Sequence, residues 1–91
     1  MWDISTGHIT EMDSKKLTEK IKDFPGQIIH HQYGWMIPVI RNERETLKDL
    51  KLVGMSAAFI KLYKYAQKKN YDWINFDQDA DQLNHFKIFE W

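Results

Sequence analysis

The chain has 91 residues, the size of one domain with one hydrophobic core, so we expect residues 1–91 to form a single domain. Hydrophobic residues make up 43% and aromatic residues 14% of the sequence, proportions that exclude a disordered tail. Thirteen Lys and Arg residues balance thirteen Asp and Glu residues, and this zero net charge excludes a protein that binds by bulk positive charge.

The residues that the sequence lacks exclude further classes of site. There is no cysteine, so disulfides, thiolate zinc sites and cysteine nucleophiles are excluded. The four glycines fit no phosphate-binding loop, and we expect no cofactor. The start of the chain has no secretory signal, and the apolar run at 35–40 is far shorter than the roughly 20 residues of a membrane helix. We therefore expect a cytoplasmic protein without membrane contact.

The first predicted elements are a strand at residues 2–5 and a helix that begins after Thr10. Thr10 has the side chain of an N-cap, and Asp13, three residues later, is a weaker version of the capping-box acid. Apolar residues recur at helical spacing as far as Phe24. The Pro-Gly pair that follows ends this helix.

Residues 27–40 are rich in β-branched and aromatic side chains and predict two strands, with a break at Tyr33-Gly34. Pro38 has no N–H group for a sheet ladder. The second strand is therefore an edge strand, or Pro38 lies at an unpaired position. Residues 46–52 predict a short helical turn.

The clearest helix opens at residues 54–56 and carries one apolar stripe as far as Ala66. Residues 72–77 alternate as a strand does, and residues 86–91, FKIFEW, predict a last strand. The order β-α-β-β-α-β-β predicts an α+β two-layer sandwich. Its mostly antiparallel or mixed sheet has about five strands, covered by two helices.

Four short motifs together indicate a family. They are STGHIT, YGW, WINFDQDAD and the ending HFKIFEW. With them the chain resembles a family of small uncharacterised bacterial proteins that are carried on plasmids, phages and other mobile elements. The matching positions are Ser5, Thr6, His8, Thr10, Tyr33, Gly34, Trp35, Trp73, Asp77, Asp79 and Trp91. Gly7 stands where the family has a different small residue. The resemblance implies an association with mobile elements and supplies no chemistry.

The aromatic residues suggest a protein interface. Four tryptophans are many for this length, and tryptophan is enriched in interfaces as well as in cores. We predict Tyr33, Trp35 and Trp91 as interface residues, because Trp35 precedes the possible edge at Pro38 and Trp91 lies at the chain end. The leading hypothesis is a non-enzymatic protein-binding or adaptor module. Its partner is another protein or, in a homodimer, a second copy of the chain.

A basic helix face suggests nucleic-acid binding as an alternative. Lys61, Lys64 and Lys68 share one face of the helix, and Lys69 and several tyrosines lie nearby. Positive charge combined with aromatic residues is typical of nucleic-acid-binding surfaces. A similar lysine face also occurs on amphipathic helices that are only solvated, so both interpretations of Lys61–Lys69 stay open.

A second alternative is a metal-dependent hydrolase that uses His8, Asp77 and Asp79. Carboxylates and imidazole are common metal ligands, and Asp77 and Asp79 follow a predicted strand end. The structural alternative is that Asp77 closes the strand and Asp79 or Asp81 caps a short helical turn, while His8 binds backbone near the first helix. No motif for a catalytic nucleophile is present.

Overall fold

The computed structural model of the chain describes residues 1–40, 43–84 and 86–90 and shows four strands and three α-helices there. The elements are β1 (Trp2–Ser5), a 3₁₀ turn (Thr6–His8), α1 (Glu11–Thr18), β2 (Ile29–His31), β3 (Gly34–Pro38), α2 (Glu43–Leu52), α3 (Ala57–Lys68) and β4 (Trp73–Asp77). The predicted α+β class is confirmed. Within the described ranges, no helix is long and apolar enough to cross a membrane.

The four strands form one mixed sheet in the order β1-β4-β3-β2. β1 and β4 are parallel neighbours, whereas β3 is antiparallel to both β4 and β2. The carboxyl ends of β1 and β4 therefore lie at the edge of the sheet where β3 begins. The register there pairs Ser5 with Asp77 and Asp77 with Gly34.

One face of the sheet is covered by the helices and the other face is open. Ile74 and Phe76 of β4 are fully buried, and the Phe76 ring stacks on Phe59 of α3 with ring centroids 5.7 Å apart. The intervening residues, Trp73 and Asn75, are half-buried on the opposite face and lie outside the core cluster. This alternation confirms the strand predicted at residues 72–77.

Three segments differ from the sequence prediction. α1 ends at Thr18, whereas the apolar spacing predicted a helix as far as Phe24. The turn expected at 46–52 belongs to α2, which is ten residues long, so the described chain has three helices where two were expected. The predicted strand at 86–91 pairs with no strand over its described residues, and Trp91 lies outside them. The Phe86 ring packs on Trp2 and Tyr65, with centroids 5.7 and 5.3 Å apart. The described part of this tail is therefore held by the burial of Phe86 beside the helix layer and not by strand pairing.

β3 lies inside the sheet, so the edge interpretation of Pro38 is wrong. The N–H groups of a strand point alternately to its two neighbours. Val39 N–H points toward β4 and donates to the carbonyl of Asp72 at 2.8 Å. The Pro38 nitrogen faces the other side, where the β2 ladder has already ended with the pair of Ile29 and Met36. The missing N–H thus falls at an unpaired position, as the alternative interpretation stated.

α1 and α3 begin at one buried carboxylate, that of Asp13. Thr10 and Asp13 form a full capping box, with two reciprocal hydrogen bonds of 3.1 Å. Asp13 Oδ1 also accepts the Ser56 N–H at 2.9 Å, and its Oδ2 accepts the Ser56 hydroxyl at 2.5 Å. Ser56 in turn caps α3 by accepting the Phe59 N–H. Asp13 therefore ties the two helix starts together.

Candidate functional site

A cleft of about 470 Å³, which we name the sheet-end cleft, opens where β1 and β4 end and β3 begins. Its described lining residues are Thr6, Gly7, His30, His31, Gln32, Tyr33, Gly34, Trp35, Gln78 and Phe89. Its volume is within the range of about 300–1,000 Å³ that is typical of ligand sites. None of these lining residues is Asp, Glu, Lys or Arg, so the described lining suits an uncharged ligand.

Gly34 lets three segments of the chain meet at the cleft. A Cβ atom at this position would collide with the backbone carbonyl oxygen of Phe76 and would lie 3.4 Å from Thr6 Cγ2. β3 can therefore start between β4 and the turn after β1 because residue 34 has no side chain. The Tyr33 carbonyl also accepts the Gln78 N–H at 2.9 Å, which adds a second link across the cleft floor.

A chain of hydrogen bonds on the open face fixes the turn that joins β2 and β3. His31 Nδ1 lies 3.2 Å from the Tyr33 N–H and accepts from it, which assigns the ring proton to Nε2. His31 Nε2–H then donates to Asn75 Oδ1 at 2.6 Å. Asn75 Nδ2 donates to Asp3 Oδ1 at 3.0 Å. These bonds anchor one wall of the cleft to the two strands beyond β3.

Three aromatic side chains reach the cleft from different segments. Tyr33 is 42% exposed on the β2–β3 turn, while Trp35 on β3 and Phe89 on the C-terminal tail are half-buried. These three described rings make no ring contact with one another. The Phe89 N–H donates to the Gly7 carbonyl at 2.7 Å and places the tail beside the end of β1. The rings therefore leave space between them.

The comparison with known families identifies the group of proteins to which this fold belongs. A family model described as the C-terminal domain of DUF5983, a family of unknown function, matches residues 1–91. The chain belongs to the DUF5983 family. This confirms the predicted membership of an uncharacterised family, while the association with mobile elements stays a prediction. No curated protein and no solved structure matches the chain.

Two of the three predicted interface residues of the DUF5983 domain line the cleft. Tyr33 projects from the turn, and Trp35 contributes part of a ring that also packs against the core. The indole N–H of Trp35 donates to no described residue. Trp91 lies outside the described residues. Their role as interface residues stays a prediction, and the edge strand on which the choice of Trp35 rested is wrong.

His8, Asp77 and Asp79 do not come together in the cleft of the DUF5983 domain. His8 is 1% exposed, and its two ring nitrogens bind tail backbone. Nδ1 donates to the Lys87 carbonyl and Nε2 accepts the Leu83 N–H, both at 2.8 Å. Asp77 Oδ1 accepts the Asp79 N–H at 2.8 Å, which is the geometry of a turn. Among the residues that the structure describes, no three His, Asp or Glu side chains are placed to hold a metal.

The three predicted nucleic-acid contacts of the DUF5983 domain lie on α3. Lys61, Lys64 and Lys68 are exposed. Within the described part of the chain, none of them has an acidic partner within 4.0 Å. Lys61 also lines a second hollow together with Lys87. The three lysines do not line the sheet-end cleft.

Sequence reasoning missed part of the cleft of the DUF5983 domain. Gln32, Gln78 and Phe89 had not been singled out, because a neutral amide and a single phenylalanine give no distinctive pattern. His30 and His31 are neighbours on β2, so their side chains lie on opposite faces of the sheet. His30 Nε2 bonds the Leu17 carbonyl on the helix side. The partnership of His31 with Asn75 required the strand order, which the sequence did not provide.

Proposed function

We propose that the DUF5983 domain is a non-enzymatic protein-binding module that holds an uncharged segment of its partner in the sheet-end cleft. The observation that supports it is the lining, in which aromatic rings alternate with neutral polar side chains and no charged residue is described. Aromatic residues supply much of the energy of protein recognition. Amide and hydroxyl groups can pair with a peptide backbone, which carries N–H and C=O groups and no charge.

The hydrogen bonds that hold the walls of the cleft support the same proposal. The turn that carries Tyr33 is held by His31 and by the bond to Gln78, and Phe89 is held by Gly7. A site whose walls are fixed before binding loses less conformational entropy when the partner arrives. A cleft whose walls are joined by these bonds, and whose described lining has no Asp, Glu, Lys or Arg, is suited to capturing a short segment of another protein.

A comparison of two surface variants tests this function. Tyr33→Ala removes the exposed ring of the cleft, whereas Met12→Ala removes an exposed apolar side chain, 59% accessible, from α1. We expect a protein captured from host lysate by the unaltered domain to be lost with Tyr33→Ala and kept with Met12→Ala. If every captured protein binds both variants equally, the cleft is not the binding site.

Nucleic-acid binding through α3 is a second candidate, and it rests on the three exposed lysines without described acidic partners. Unpaired lysines on one helix face can contact successive phosphates and release counterions. The replacement of Lys61, Lys64 and Lys68 by alanine should then weaken oligonucleotide binding and reduce its salt dependence.

The matched control for the lysine variant removes the same charge elsewhere. Lys15, Lys22 and Lys51 are exposed on other segments, and their replacement by alanine should leave oligonucleotide affinity near its original value if α3 is the binding face. Equal losses in the two triple variants would show a nonspecific charge effect. An oligonucleotide affinity that does not change with salt concentration would rule out nucleic-acid binding through α3.

Three further predictions belong to the same proposal and rest on the sequence alone. They are a role on mobile elements, a location in the cytoplasm and self-association as one form of protein binding. Light scattering at several protein concentrations tests the last of these. No observation in the described residues favours the hydrolase alternative, and both ring nitrogens of His8 are engaged in hydrogen bonds.

A further inference from the structure

We infer that the segment held by the sheet-end cleft is proline-rich and binds as a polyproline II helix. This inference rests on the proposed protein-binding function and specifies its ligand. A polyproline II helix has three residues per turn, carries no internal hydrogen bonds and presents apolar rings and free carbonyl oxygens. A site for it needs separated aromatic surfaces and hydrogen-bond donors, without a requirement for charge.

The aromatic requirement is met by Tyr33, Trp35 and Phe89. They come from the turn, from β3 and from the tail, and they do not stack on one another. Rings that are spaced in this way leave room for apolar groups between them. Proline rings are compact and rigid enough to pack there at little conformational cost, because the polyproline II helix is already ordered before binding.

The donor requirement is met by side chains without a described protein partner. No described residue accepts from the indole N–H of Trp35 or from the Tyr33 hydroxyl. The amide groups of Gln32 and Gln78 add N–H donors to the same lining. Carbonyl oxygens of a proline-rich segment need such donors, whereas its proline residues offer no N–H that would have to be satisfied.

Addition of a β-strand to the sheet fits the described structure less well. The two edge strands of the sheet are β1 and β2, and an added strand would have to pair with one of them. In β1, Trp2, Ile4 and Ser5 are buried and only Asp3 is exposed, which leaves a short stretch of accessible chain there. β2 is three residues long, too short for an extended ladder. The cleft between the rings is therefore a better place for a peptide than either edge.

Titration of the ¹⁵N-labelled full chain with acetylated decaproline tests the inference. A Gly-Ser peptide of equal length serves as the control ligand. We expect decaproline to shift the indole N–H resonance of Trp35 and the backbone resonances of Tyr33 and Gly34, and to leave the indole of Trp73 on the open face unchanged. Equal shifts with both peptides, or no shift at the cleft with decaproline, would overturn the inference.

Paired variants sharpen the titration. Tyr33→Ala removes an exposed ring, so it should fold normally and lower the affinity for decaproline about tenfold. Trp35→Phe keeps an aromatic ring in the core but removes the N–H donor, and should lower affinity about fivefold. Trp73→Phe makes the same change on the open face and should have no effect. If Trp73→Phe weakens binding as much as Trp35→Phe does, the cleft is not the site.

Selection from a displayed random-peptide library separates this inference from the proposed function. Proline-rich peptides that lose binding with Tyr33→Ala support both. Peptides without proline that lose binding with Tyr33→Ala overturn the polyproline inference and leave the protein-binding function standing. A library that yields no peptide sensitive to Tyr33→Ala counts against both.

Discussion

His8 holds the carbonyl oxygen of Lys87 at 2.8 Å, although the two residues are 79 positions apart in the chain. The other ring nitrogen accepts the Leu83 N–H, also at 2.8 Å. One buried side chain near the amino terminus therefore positions two points of the C-terminal tail. Since the tail also carries Phe89 to the cleft, His8 acts on the cleft through the tail and does not line it.

His8→Ala should detach the tail and destabilise the fold. The substitution leaves the Lys87 carbonyl and the Leu83 N–H without their partner and creates a small void, at a cost of about 3 kcal/mol. His30→Ala is the matched control: His30 is exposed and makes one described side-chain bond, so its loss should cost less than about 1 kcal/mol. Urea unfolding measures both values. Equal losses of unfolding free energy in the two variants would show that the two His8 bonds stabilise the fold no more than the single bond of His30 does.

Asp13→Ala should destabilise α1 and α3 together. It removes the carboxylate that completes the capping box and accepts both donors of Ser56, with an expected cost of about 3 kcal/mol. Glu11→Ala removes an exposed carboxylate from the same helix turn, paired with Lys15 at 4.0 Å, and should change stability by less than about 0.5 kcal/mol. Hydrogen exchange should show faster opening of both helices in Asp13→Ala. Faster opening of α1 alone would contradict the shared role.

Local sequence patterns predicted the elements that depend on local physics. The capping pair of Thr10 and Asp13, the apolar stripe of α3 and the alternation of β4 each depend on residues a few positions apart, and the structure confirms all three. The tail was predicted wrongly for the same reason. Its alternating aromatic pattern is that of a strand, but Phe86 is buried by Trp2 and Tyr65, which are distant in sequence.

The cleft was less predictable because it depends on strand order. β1 and β4 are parallel neighbours although they are far apart in sequence, and this pairing brings Thr6 and Gln78 to the same edge. The sequence marked Tyr33, Gly34 and Trp35 as a motif, and the structure supplies its reason. Gly34 allows the close approach, and the two aromatic residues beside it line the resulting space.

Gly34→Ala should disrupt the meeting of β3 with β4. The new Cβ would collide with a backbone carbonyl oxygen, that of Phe76, which cannot rotate away, so we expect a loss of at least about 3 kcal/mol. Gly7→Ala is the matched control, because its Cβ would meet the flexible side-chain end of Gln82, and the expected loss is below about 1 kcal/mol. Thermal unfolding compares them. Similar melting temperatures for the two variants would refute the close-approach argument.

Tyr63 should make stability depend on pH in alkaline solution. Burial raises the pKa of its hydroxyl above the ordinary value of 10.0, although the bond from the Ile40 N–H opposes the shift. The unfolded chain therefore loses this proton at a lower pH than the folded chain does. The resulting stabilisation is complete below pH 10 and is lost as the pH rises from 10 through the folded pKa. Urea unfolding between pH 8 and 11 should show a steeper decline for the unaltered chain than for Tyr63→Phe. If the stability of both proteins declines equally with pH, the raised pKa of Tyr63 is not the cause.

The order of donors and acceptors from His31 through Asn75 to Asp3 can be tested by exchanging two residues. Asn75→Asp places a carboxylate against Asp3, removes the donor between them and should cost about 1 kcal/mol. The double variant Asp3→Asn with Asn75→Asp restores the chain, because the new amide donates to the new carboxylate, which still accepts from His31. We expect the double variant to regain stability and the slow amide exchange of the turn at 31–34. A double variant that is no better than Asn75→Asp would show that these bonds do not hold the cleft wall.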